Sequence, residues 1–178
     1  TTMAFAESSS YLEARKMIKK IHYKQDEKGF RNPSFNSRRH FTSDRILNNP
    51  KTIDITLKIA NKESLERLNI ELNKKENGDE FLDLNWTSEE LIQFIPIEKI
   101  NSKLLEKLPG SCGVAFVKRD YFKLGIVIAH EGFLIDNSIL FHAPSEMGKT
   151  VEVDFLSYTK INGKYRFDGV MFYSLEEG

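Results

Sequence analysis

Along the second half of the chain the apolar positions recur every second residue. Leu124, Ile126 and Ile128 alternate with Gly125, Val127 and Ala129, which predicts a strand. A second strand is expected from about Ser138 to Ala143, ending on His142-Ala143-Pro144-Ser145. Successive side chains of a strand point to opposite faces, so Lys123, Gly125 and Val127 share one side. Lys123 therefore opens the first strand and His142 sits near the end of its neighbour. Gly125 between them leaves a gap, where another backbone or a ligand can come close.

The first half mixes periods. Met3 to Ile21 carries a broken helical stripe, and Ser10 with Glu13 fits a capping box, predicting two short helices. Tyr23 to Ser37 is polar, punctuated by Gly29 and Asn32-Pro33, and reads as a loop before a short helix ending at Leu47. Thr52 to Ala60 alternates through Ile53, Ile55, Leu57 and Ile59, predicting a half-buried strand, and Leu65 to Leu72 a strand paired with it. Lys74 to Asp83 holds the turn signal Asn77-Gly78. Thr87 to Phe94 opens with a second capping box, Thr87 with Glu90, and predicts a helix stapled by Trp86. Asn101 caps a helix to Leu108, Cys112 to Lys118 is a strand, Asp154 to Lys160 a helix, and Tyr165 to Tyr173 a last strand. Helices first and an antiparallel sheet of four or more strands after them make an α+β protein.

At 178 residues the chain is long enough for a substantial core and is expected to be one domain, 1–178. The 26 basic and 26 acidic residues cancel, which argues against a general electrostatic grip on nucleic acid. No apolar run approaches the ~20 residues needed to span a bilayer. One cysteine, Cys112, rules out an internal disulfide and makes a Cys/His zinc cluster unexpected, so no metal or cofactor is anticipated. The first residues lack the basic and apolar regions of a signal peptide, and the chain opens on Thr1-Thr2-Met3, the pattern expected if an N-terminal portion is lacking.

Five places offer chemistry. Cys112 is not at a helix start and reads as a buried structural thiol. Arg38, Arg39 and His40 form a cluster able to grip a carboxylate-bearing ligand, or else a helix start paired locally with Asp44. His130, in His130-Glu131-Gly132, reads as a solvent-facing turn residue, and Trp86 as a rim aromatic more readily than a sugar platform. His142 is the remaining candidate base.

Several of these segments together resemble the DUF1460 family, the N-acetylmuramoyl-L-alanine amidase-like proteins of the NlpC/P60 superfamily of papain-like cysteine hydrolases. FKLGIVI is similar to the family's strand that opens on His, and FHAPS to its strand ending HAS; the run SRRHF with Asp44, and FIPIEKI followed by LLEKL, have counterparts in the same order. The resemblance covers Thr1 to about Phe172. It implies the papain-like NlpC/P60 fold, N-terminal helices packed on an antiparallel β-sheet, and metal-free thiol hydrolysis of the amide between N-acetylmuramic acid and L-alanine. It implies peptidoglycan fragments (muropeptides) as partners and a periplasmic or exported location. The family's nucleophilic cysteine falls immediately before Thr1, Lys123 stands at the position of its histidine, and His142 at that of its orienting residue. Lysine, with an unperturbed pKa of ~10.4, is protonated near neutrality and is no base unless burial lowers it. A member that has given up catalysis and binds muropeptide or a protein partner is the alternative, and a structural protein sharing only the fold is a third.

Overall fold

The computed structural model describes residues 8–49 and 51–175, built on an antiparallel sheet of eight strands. In chain order the elements are helix α1 (Tyr11–His22), α2 (Thr42–Asn48), strand β1 (Thr52–Asp54), α3 (Thr56–Ile59), β2 (Glu66–Leu72), β3 (Ser88–Pro96), α4 (Ser102–Leu105), β4 (Ser111–Val117), β5 (Ile128–Ile135), β6 (Ile139–His142), β7 (Val151–Asp154), α5 (Phe155–Tyr158), β8 (Lys160–Ile161), β9 (Lys164–Tyr165) and β10 (Gly169–Leu175). The sheet runs β2-β3-β10-β4-β5-β6-β7, β1 pairs with the outer half of β10, and β8 and β9 form a separate small hairpin. The architecture is α+β, as the order of patterns predicts.

The two central strands are apolar at nearly every position because both faces of the sheet are covered. Cys112, Val114 and Phe116 of β4 join Val170 and Phe172 of β10 in one core, which takes in Leu134, Leu140 and Phe155. Ala115 and Val117 of β4 join Met171 and Tyr173 of β10 in the other, with Phe41, Ile46, Leu72, Ile92 and Phe94. The period of two thus separates two cores rather than core from solvent. Cys112 is buried in the first core, as expected.

Several local readings hold. Ser10 caps α1 by accepting from the Glu13 amide at 3.2 Å. The returning Glu13 carboxylate takes the Ser9 amide at 3.0 Å, one residue earlier than a strict capping box requires. Asn101 caps α4 and Asp154 caps α5 through their side chains. The helix expected ahead of Ser8 lies outside the described residues.

In the first half of the chain, other readings do not hold. Thr52 to Ala60 is a strand only to Asp54. There the Asp54 carboxylate accepts from the Thr56 amide at 2.8 Å and turns the chain into α3. The Thr56 hydroxyl then accepts from the Phe172 amide at 2.9 Å, so the apolar alternation packs a helical turn on β10. β2 accordingly pairs with β3, from Glu66 opposite Phe94 to Leu72 opposite Ser88, and not with the strand before it. Thr87 to Phe94, read as a helix, instead falls in strand β3 from Ser88 on: Ile92 and Phe94 are buried while Leu91 is exposed. Glu90 does not cap a helix; its carboxylate accepts from the Ser88 hydroxyl and the Asn48 amide, both at 2.7 Å.

Candidate functional site

β5 carries the site. It starts at Ile128, later than the alternation suggests, because Arg119–Leu124 forms a 3-10 turn closed by Gly125 at φ 69°. Gly125 is where another backbone approaches: a Cβ there would lie 2.4 Å from the Lys74 backbone nitrogen. The strand then continues through His130-Glu131-Gly132 to Ile135, and the reversal falls instead at Asp136 and Asn137, both with positive φ. Against β4, the register passes from Phe116–His130 to Val117–Ile128, skipping Ala129. This bulge sets the direction of the residues after it. It turns His130 toward Phe116 and Glu131 toward the opposite face, where Tyr173 lies.

His130 is therefore not a turn residue. Its Nε2 lies 2.9 Å from Nδ1 of His142, which ends β6 opposite Gly132. Gly132 is required by this packing: a Cβ there would meet the Leu140 side chain at 2.6 Å and the His142 Cβ at 3.2 Å. The His142 ring packs on Tyr158 at 4.3 Å between centroids, and Phe116 stacks on Phe167 at 4.4 Å beneath the pair. Burial first, then the Arg166 guanidinium, pushes the His130 imidazole below its ordinary value. For His142 the causes are burial, His130 and Arg166. Both rings are thus held neutral near pH 7. His142 Nε2 is buried with no hydrogen-bond partner among the described residues. In the tautomer in which His130 Nε2–H donates to His142 Nδ1, the lone pair of His130 lies on Nδ1 and can take up a proton.

His130, with His142 behind it, borders a cleft of about 290 Å³ lined by Tyr121, Ala129, His130, Ser145, Glu146 and Arg166, among others. Arg166 lies over the Tyr158 ring at 4.3 Å from its centroid, and its carbonyl accepts from Lys118 Nζ at 3.0 Å. The cleft thus offers a neutral imidazole, a cation, a hydroxyl and aromatic walls, the mixed lining of small-molecule sites.

On the other face of β5, Glu131 pairs with Arg45 and accepts from the Tyr173 hydroxyl, with the Thr42 hydroxyl at 3.3 Å. Burial alone would raise the Glu131 carboxyl; Arg45 and these hydrogen bonds outweigh it and hold the group below its ordinary value. Gly113 makes room for this: a Cβ would lie 2.1 Å from the Tyr173 ring. Neither Glu131 nor Tyr173 stands out in sequence: Glu131 sits in a triplet that resembles a turn, and Tyr173 in an apolar run with no spacing signal.

The other expected residues fall elsewhere. Lys123 lies on the exposed 3-10 turn and does not open β5; its side chain makes no hydrogen bond or ion pair among the described residues, and it does not line the cleft. Arg39 is committed to Asp44 at 2.8 Å and to the Asn48 carbonyl at 2.7 Å. His40 bonds the Phe35 carbonyl at 2.8 Å, while Arg38 remains exposed. The cluster is thus held largely by local pairing, including that with Asp44. Trp86 packs edge-on against Phe41, and Lys24 Nζ lies 3.3 Å from its ring centroid. No group of three or more His, Cys, Asp or Glu among the described residues is placed to hold a metal ion, and no described helix is long and apolar enough to cross a membrane.

The AmiA-like family, described as N-acetylmuramoyl-L-alanine amidase-like, matches residues 1–164. The chain belongs to this family. No curated protein sequence matches it. Among solved structures it is similar to a Legionella pneumophila protein of the DUF1460 family, at 20% identity and a TM-score of 0.75 over 98% of this chain and 73% of that one. It is also similar to an N-acetylmuramoyl-L-alanine amidase from Bacteroides uniformis, at 21% identity and a TM-score of 0.63 over 94% of this chain and 75% of that one. At these identities the likeness is one of fold. Membership of the amidase-like family supports a cell-wall, peptidoglycan-related function.

Proposed function

We propose that this member of the amidase-like family takes the N-acetylmuramoyl-L-alanine amide of peptidoglycan fragments into the cleft beside His130, and that it descends from the papain-like NlpC/P60 thiol hydrolases. The observation that carries the reading is the imidazole pair: His130 on a cleft wall, with its Nε2 2.9 Å from Nδ1 of a second imidazole, that of His142. Thiol hydrolysis of an amide needs such a group. The thiol attacks the carbonyl carbon, the imidazole takes its proton and returns it to the departing amine, and water then cleaves the thioester. In this reading His130 is the base and His142 its orienting partner. Peptidoglycan substrates place its work in the periplasm or beyond.

A second reading, recognition without cleavage, is favoured by Cys112. Burial pushes this thiol up to about 12. It sits four residues along β4 from Phe116, the residue opposite His130, a separation of roughly 13 Å. It is a core thiol and not the partner of the pair.

Isothermal titration with N-acetylmuramoyl-L-alanine, with mass spectrometry for released L-alanine, separates the readings. It is run on the 178-residue chain and on one extended by a cysteine ahead of Thr1, where the resemblance places the family's nucleophile. Binding by both with release by the extended chain alone supports hydrolysis. Binding by both with release by neither supports recognition. Absence of binding by both rejects the cleft as a muropeptide site.

A further inference from the structure

Arg166 is a half-buried guanidinium whose own N–H groups meet no acceptor among the described residues. Every other feature of the residue is fixed. Its amide donates to the Thr159 carbonyl at 2.9 Å and its carbonyl accepts from Lys118 Nζ at 3.0 Å, so the backbone is held on both sides. Its guanidinium lies 4.3 Å from the Tyr158 ring centroid and 5.8 Å from that of Phe167. Stacking of this kind fixes the plane of the group while leaving its edge open. Arg166 lines the same cleft as His130.

The charges facing the cleft are Lys118, Arg166 and Glu146, with His130 neutral. Lys118 has its ammonium drawn onto the Arg166 carbonyl, and Glu146 is in no ion pair with Arg166. An unpaired, pre-oriented guanidinium lining a cleft is matched in shape and charge by a carboxylate, which it can bind through two parallel hydrogen bonds.

We infer that Arg166 is a specificity residue that selects a carboxylate-bearing peptide, holding the anionic stem of the ligand beside the amide that faces His130. This rests on the muropeptide reading of the cleft and adds to it what the cleft discriminates. The stem carboxylate meets the Arg166 fork, Tyr158 supports the fork from behind, and Glu146 at the lip disfavours a second carboxylate on that side. Because Arg166 also holds the His130 and His142 imidazoles down, a bound carboxylate that screens it raises both.

The test compares N-acetylmuramoyl-L-alanyl-D-glutamate with its bis-amide, a neutral analogue of nearly the same shape, on the wild type, Arg166→Gln and Arg166→Lys. The wild type is expected to bind the acid roughly ten- to a hundredfold more tightly than the bis-amide. Arg166→Gln should remove that preference while leaving bis-amide affinity within about twofold, and Arg166→Lys should restore only part of it, since an ammonium lacks the planar fork. In the free protein, NMR titration should show the His130 pKa higher in Arg166→Gln than in the wild type, a change that a purely structural role would not produce. Equal binding of acid and bis-amide by the wild type overturns the inference and leaves the muropeptide reading standing. Binding of neither overturns both, and a preference that persists in Arg166→Gln assigns the carboxylate to another residue.

Discussion

His130 and His142 are coupled only because two strands bring them together; twelve residues separate them in sequence and 2.9 Å in space. A third imidazole shows what burial does without a partner ring. His22, at the end of α1, is pushed down to about 4, by burial first and then by the Arg45 guanidinium. The unfolded chain takes up this proton near the ordinary value of ~6.5, before the folded one does. Between about 6.5 and about 4 the unfolded state therefore binds more protons, and stability falls as the pH falls. His130 and His142 are shifted the same way and add to the loss below ~6.5. Urea midpoints across this range should decline with acidification, and His22→Gln should flatten the decline; an unchanged slope would mean that His22 is not protonated differently in the two states. His142 was legible as an ionisable strand end. His130 was not, because His-Glu-Gly resembles a turn, while the true reversal at Asp136 and Asn137 carries an equally plain turn signal five residues later. Lys123 stood out only through its place in the FKLGIVI pattern, and the 3-10 turn that carries it breaks the alternation on which that pattern depends.

Among elements, strands buried on both faces and short caps were readable, and the segments that change type were not. β4 is apolar from Cys112 to Val117 with no competing helical signal. β3 begins with Ser88-Glu89-Glu90, and the capping-box spacing of Thr87 with Glu90 hides a strand whose buried positions start only at Ile92. The connection from β4 to β5 depends on Gly125, which combines a left-handed conformation with close approach of the Lys74 backbone. Gly125→Ala adds a Cβ where neither the conformation nor the neighbour yields. The expected cost is about 1–3 kcal/mol, from backbone strain of this size. Chemical denaturation should show a lower midpoint at an unchanged slope. A midpoint equal to the wild type would mean that the 73–80 loop gives way and that the β4–β5 connection is not anchored there.

For the whole molecule, the sheet separates two polar constellations on adjacent residues of one strand. His130 faces the cleft with Arg166 and Tyr158, and Glu131 faces Arg45 and Tyr173 on the other side. A one-residue slip of β5 would exchange them, so the ion pair with Arg45 helps specify the register that aims His130. None of this three-dimensional pairing is visible in sequence, where the α+β order and the amidase-like motifs were. The structure joins the two: the motif strand FHAPS ends in the cleft, and the unexpected partner of its histidine is His130.

The claim that this cleft is the muropeptide site meets its most direct test in the four histidines of the chain, which report from separate places. In protein labelled at histidine, N-acetylmuramoyl-L-alanine should shift the His130 and His142 imidazole resonances together and to saturation, leaving His22 and His40 in place. Saturating shifts confined to His22 or His40, or no shift at any of the four, would contradict the account.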